Sequence, residues 1–152
     1  MRLSRRVPRA RRVRFGFGEM TKKRTTRIPA AELAGWAARV ADERHCSDIV
    51  VLDLRQISPV TDYFVIATGT SDVQMRAVAN ELTAEAKDLG HRPFGVAGRE
   101  TGKWILLDFV DVVVHLFDEE HRQYYDLELM WGDAPRLPWK PAARGTPEAT
   151  GE

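Results

Sequence analysis

The stretch KWILLDFVDVVVHLF, Lys103 to Phe117, constrains the fold more than any other part of the chain. β-Branched and aromatic residues run on either side of a short acidic break, Asp108-Phe109-Val110-Asp111. That pattern predicts two strands joined by a tight turn at Phe109-Val110. Pairing Asp108 with Asp111 sorts the side chains onto two faces. One holds Ile105, Leu107, Val112, Val114 and Leu116, with Lys103 its only polar member. It requires a cover of helices. The other holds Trp104, Leu106, Asp108, Asp111, Val113, His115 and Phe117. It mixes large apolar groups with charge, as a sheet surface does when it meets water at some times and a partner at others. Phe-Val is poor chemistry for a two-residue hairpin, which favours positive φ. A longer turn would shift the register and put the face assignment at stake.

Upstream, Pro29 suits a helix start, and Leu33, Trp36, Ala37 and Val40 form one stripe, so a helix of about four turns is expected, ending near His45. Ile49 to Leu54 and Tyr63 to Ala67 read as strands. The Ser58-Pro59 link between them is too short for a crossover, so they should pair antiparallel. Ser71 and Gln74 form a capping-box pattern for a second helix, lined by Met75, Val78, Ala79, Leu82, Ala86 and Leu89 and stopped by Gly90. A strand around Arg92 to Val96 should then run parallel to the second strand. Asp118 caps a short helix through Tyr125, and Leu127 to Trp131 continues to Gly132. The expected architecture is α/β: a mixed five-stranded sheet with two main helices on one face.

Charge divides the chain. Residues 1–27 carry eleven Lys or Arg against Glu19, leaving 12 basic and 21 acidic residues for the remainder. The reading is a basic, disordered head (1–27), a domain (28–133) and a Pro-rich flexible tail (134–152). The head is Arg-rich like a transit peptide or an RNA-touching arm, which leaves a weak rRNA contact open, and Met20 offers a later start. One cysteine, Cys46, excludes a disulfide framework and favours a reducing, cytoplasmic setting. The apolar runs are strand-sized, short of the ~20 residues of a membrane span.

Chemistry is sparse. Gly69-Thr70-Ser71, between a strand and a helix, is a position that holds phosphate in some proteins, but the same residues are ordinary cap chemistry. The acids that follow, Asp72, Glu81, Glu85 and Asp88, fall on the helix rather than on a strand where they would hold magnesium. Asp108, Asp111 and His115 lack further ligands at a recognisable spacing, so no metal or cofactor is expected. Thr61, Asp62 and Tyr63 are of the residue types a catalytic group uses, but they also fit the start of a strand. Trp104, Tyr124, Tyr125 and Trp131 suggest stacking platforms. However, the segment from Lys103 to Asp133 holds eight acids against Lys103 and Arg122, which repels phosphate and attracts a basic protein. A protein-binding patch and an ordinary solvated acidic surface both fit.

Four segments in order resemble one family. They are Asp48 to Asp53; Thr61 to Ser71; Trp104 to Asp108 with Asp111 to His115; and Arg122 to Ala134. From about Ala30 to Ala134 the chain resembles the ribosomal silencing factors, RsfS or Iojap. The family usually has Asp-x-Gly-Asp where this chain has Asp108-Phe109-Val110-Asp111. The resemblance implies a nucleotidyltransferase-like fold without the catalytic acids, and no enzyme activity. It implies docking on the large ribosomal subunit through ribosomal protein fourteen, a block on subunit joining, repressed translation under nutrient limitation, and a tendency to homodimerise. By motif it points to Trp104, Asp108, His115, Arg122, Tyr125 and Trp131 for docking, with Asp62 and Tyr63 next. A nucleotide-binding or nucleotidyl-transferring enzyme is the rival.

Overall fold

The computed structural model describes residues 27–140. Helix α1 spans Ala30–Glu43, with the Pro29 carbonyl accepting from the Leu33 amide as the first turn closes. Strands β1 (Ser47–Asp53) and β2 (Tyr63–Thr68) pair antiparallel. Helix α2 (Asp72–Ala86) follows, with a 3₁₀ turn at Lys87–Leu89. Gly90 ends it at φ 86°, a left-handed conformation that glycine adopts without cost. The three-residue β3 (Gly95–Ala97), then β4 (Trp104–Asp108) and β5 (Val112–Phe117), complete the sheet in the order β1-β2-β5-β4-β3. Only β2 and β5 pair in parallel. Strand β3 points the same way as β2 with two strands between them. It begins later than expected because Pro93 has no amide to give; the Phe94 amide makes the first bond, to Asp108. Helices α3 (Glu119–Tyr125) and α4 (Leu127–Met130) close the domain.

The alternation read from the sequence holds on both faces. Ile105, Leu107, Val112, Val114 and Leu116 are buried beneath α1 and α2, which meet them with Leu33, Ala37 and Val40 and with Met75, Val78 and Leu82. The hairpin differs in one respect. Trp104 lies opposite Phe117 and Leu106 opposite His115, so the turn is Val110-Asp111 rather than Phe109-Val110. The reason is local. Val110 takes φ 75°, the Asp111 amide donates to the Phe109 carbonyl at 2.9 Å, and the Asp108 carboxylate accepts from the Val110 amide at 2.8 Å. Moving the turn by one residue shifts every pairing by two, and the period-2 faces survive. His115 is therefore diagonal to Trp104, not its directly opposed partner.

The other sheet edge is closed by the chain's own C-terminal part. Residues 135–140, which the sequence reading assigns to the tail, run along the outside of β1. The Asp53 amide donates to the Pro135 carbonyl (2.8 Å) and the Leu137 amide to that of Val51 (2.9 Å). The Trp139 indole N–H reaches the Ile49 carbonyl at 3.2 Å. This strap occupies backbone groups that an open edge strand would offer to another chain.

Candidate functional site

The sheet face away from α1 and α2 is only half covered. Over β1, β2 and β5, a small second core of Leu52, Leu54, Ile66 and Phe117 is roofed by Leu127 and Ala134, with Trp131 alongside. The roof is built from caps. The Asp118 carboxylate accepts from the His121 amide at the start of α3, and Asp126, at φ 45°, turns the chain and caps α4. Arg122 pins it down: its Nη1 donates to Thr68 Oγ1 (2.8 Å) and its Nε to Glu128 Oε1 (2.9 Å).

An aromatic cluster stands where the roof ends. Trp104 lies 4.9 Å from Phe117 and 4.5 Å from Tyr125 between ring centroids. The Trp104 indole N–H donates to His115 Nδ1 at 3.1 Å. The His115 ring meets Phe64 edge-on at 4.5 Å, and Phe64 meets Trp131 at 5.8 Å. Burial lowers the His115 pKa from the ordinary value to about 4, so the ring is neutral at physiological pH.

Past the cluster the face is open as a groove of about 680 Å³. Phe64, Leu106 and Val113 form its floor, Trp131 closes one end, and Ile57, Val60, Phe94 and Val110 stand exposed around it. Asp108 is its only charged lining residue among those described.

The structure thus brings together Trp104, His115, Tyr125 and Trp131, with Asp108 on the adjoining groove wall. Three of the motif residues, His115, Arg122 and Tyr63, are placed differently from a docking contact. His115 (4% exposed) and Arg122 (9%) are buried; they hold the surface rather than form it. Tyr63 is 3% exposed and faces the helix side, because β2 alternates and Phe64 takes the groove side. Asp62 sits at the foot of β2, its backbone tied to Leu54 and Asp111. The family motifs do not single out Phe64, Leu106, Val113 or Phe94, all of which line the groove. Phe64 was within reach, since β2 pairs it with Val113 on the open face.

The phosphate-holding alternative at Gly69-Thr70-Ser71 has little to work with. The amides of Gly69, Thr70, Val73 and Gln74 are already bonded, to the Phe117 carbonyl, Gln74 Oε1, Asp72 Oδ1 and Ser71 Oγ. No helix among the described residues is long and apolar enough to cross a membrane.

Comparison with known proteins adds a family. The family described as ribosomal silencing factor during starvation, RsfS, matches residues 27–151. The ribosomal silencing factor RsfS of Bacillus subtilis is 43% identical over 99 residues, 65% of this chain and 84% of that protein. The RsfS of Halalkalibacterium halodurans is 39% identical over 106 residues, 70% of this chain and 91% of that protein. A crystal structure of a Chromobacterium violaceum protein superposes with a TM-score of 0.66 at 32% identity, covering 80% of this chain and 98% of that one.

Proposed function

This chain belongs to the ribosomal silencing factor family, and from that membership we propose that it represses translation by occupying the large ribosomal subunit and keeping the small subunit from joining. The partner is a basic protein of the large subunit, ribosomal protein fourteen, and the setting is the cytoplasm. The observation that carries the reading is the half-covered sheet face, with exposed apolar side chains around a groove whose one charge is the acid Asp108. That face is carried in part by the segment from Lys103 to Asp133, whose eight acids against two basic residues suit a basic protein partner. The apolar contacts supply most of the affinity, and the surrounding acids mainly speed the encounter. Repression by occupancy needs no chemical step, so its extent tracks binding and copy number.

Tyr124 (78% exposed), Leu129 (77%) and Met130 (68%) extend the apolar surface across the outside of α3 and α4. They and the groove rim are the contacts; His115 and Arg122 keep them in place. The test is sedimentation of lysate on a gradient. The protein is expected with free large subunits and not with translating ribosomes, and Asp108→Lys is expected to reduce that association while the domain stays folded. Equal distribution over free and translating ribosomes would refute the reading.

A further inference from the structure

The C-terminal end of α2 carries a depression whose charge is opposite to that of the domain around it. Arg27, Lys87 and Arg92 line it together with Phe94 and Val110, and no acid lines it among the described residues. All three cations are exposed. They stand out because the chain beyond residue 27 holds 12 basic against 21 acidic residues. None of the three belongs to the acid-rich segment from Lys103 to Asp133.

The seat of Arg27 is built into the fold. The Ile28 amide donates to the Leu89 carbonyl (3.0 Å), and the buried His91 ring donates from Nε2 to the Ile28 carbonyl (2.8 Å). Gly90 makes room for the incoming backbone, since a Cβ there would stand 2.5 Å from the Arg27 Cα. Arg27 approaches Asp111 at 3.9 Å with the two side chains 60% and 46% exposed, a solvent-screened pair that yields readily to another anion. Lys87 has a local reason for its place, because a cation in the last turn complements the helix dipole. That reason covers neither Arg27 nor Arg92, and it does not account for Phe94, which is 79% exposed beside them.

Cations around an exposed aromatic ring suit a polyanion that also has flat faces. Phosphates meet the cations, and an unpaired base stacks on the ring. An acidic peptide would meet the charges and leave the ring unused. The sequence extends the same charge: residues 1–26 hold ten Lys or Arg against Glu19 and join the domain at this depression.

We propose that the depression is an RNA contact, where a single-stranded segment of the large subunit's ribosomal RNA lays its phosphates against Arg27, Lys87 and Arg92 and stacks a base on Phe94. The inference rests on the docking reading for the source of the RNA, and adds a nucleic-acid partner on a second surface. Phe94 and Val110 belong to both rims, so the protein and RNA contacts are neighbours.

The experiment has two arms, both with the full chain. In the first, the anisotropy of a labelled single-stranded RNA of about twelve nucleotides is followed across a salt series, with thermal unfolding recorded for each variant. Lys87→Gln/Arg92→Gln is expected to weaken binding roughly tenfold and to lower the slope of log K against log salt by about 1.4, at about 0.7 for each phosphate contact of a single strand. Phe94→Ala is expected to weaken binding roughly fivefold or more and to leave the slope unchanged. The substituted side chains are exposed, so the unfolding temperatures should hold. Wild-type affinity and slope in both variants would put the RNA on residues 1–26 alone and overturn the proposal. Polyglutamate that displaces the RNA as well as unlabelled RNA does, at equal charge, would assign the depression to an acidic peptide and overturn it too. The second arm is co-sedimentation with purified large subunits, where Lys87→Gln/Arg92→Gln is expected to bind roughly fivefold more weakly than wild type. If wild type sediments with the subunits and this variant does so equally, the ribosomal RNA contact is refuted and the docking reading stands. If wild type binds the oligonucleotide but not the subunits, the docking reading fails and the ribosomal source of the RNA with it.

Discussion

Replacing Val110 by glycine should make the protein more stable and a poorer binder. Val110 holds φ 75° at the tip of the β4–β5 hairpin. For a β-branched residue that conformation is an outlier, with a cost of about 2 kcal/mol, within the range for strained backbone. Glycine relieves the strain but gives back about 0.5–1 kcal/mol through its freer unfolded chain. Val110 is 50% exposed, so the apolar burial lost is small, about 0.5 kcal/mol. The balance is a gain of about 0.5–1 kcal/mol, or an unfolding temperature higher by roughly 2–5 °C for a domain of this size. Thermal and urea unfolding followed by circular dichroism measure it. Val110→Asn should gain less, since asparagine tolerates the left-handed region only partly, and Val110→Ala should gain nothing, since alanine keeps the Cβ. A glycine variant less stable than wild type, or an alanine variant as stable as the glycine one, would refute the strain argument. Val110 also lines the groove, so glycine should weaken association with large subunits even as it steadies the fold.

Stability should fall in acid through His115. Its pKa is depressed in the folded state to about 4, so between the unfolded value near 6.5 and about 4 the unfolded chain binds the extra proton. The contribution is complete above pH ~6.5 and is lost on descending to about 4, up to roughly 3 kcal/mol at 1.36 kcal/mol per unit. Urea midpoints across that range should decline in wild type and decline less in His115→Asn. Arg122→Ala strands the Thr68 hydroxyl, leaves Glu128 with Arg136 alone at 3.7 Å, and loosens the roof. A loss of about 2 kcal/mol is expected in urea unfolding, below the figure for a fully buried pair because the Glu128 side chain is 23% exposed. Ending the chain after Ala134 strips the strap from β1, and light scattering should then show self-association through the bared edge.

How much of this was legible depends on the range of the interaction. The two faces of Lys103 to Phe117 follow from period-2 alternation, which survived a register error of two residues and would not have survived an error of one. The start of α2 was legible because its cap is local: Ser71 Oγ takes the Gln74 amide, although the Gln74 side chain returns to Thr70 rather than to Ser71 itself. The docking of 135–140 on β1 was not legible. A stretch of prolines and few large apolar groups gives no sign that Leu137 and Trp139 bond across some 90 residues to Val51 and Ile49. The burial of His115 was hidden for the same reason. Alternation places it on the open face, and only the third dimension shows Phe64, Trp104 and Phe117 closing around it.

The two ends of the described body are not equivalent for anyone attaching a dye, a tag or a tether. Arg27 sits 3.9 Å from Asp111 and shares a depression with Phe94 and Val110, two residues of the groove rim. Lys140 instead emerges at the far edge, beside Trp139 and Ile49. A dye placed at position 27 therefore stands at the mouth of the groove, whereas one placed at position 140 leaves that mouth clear.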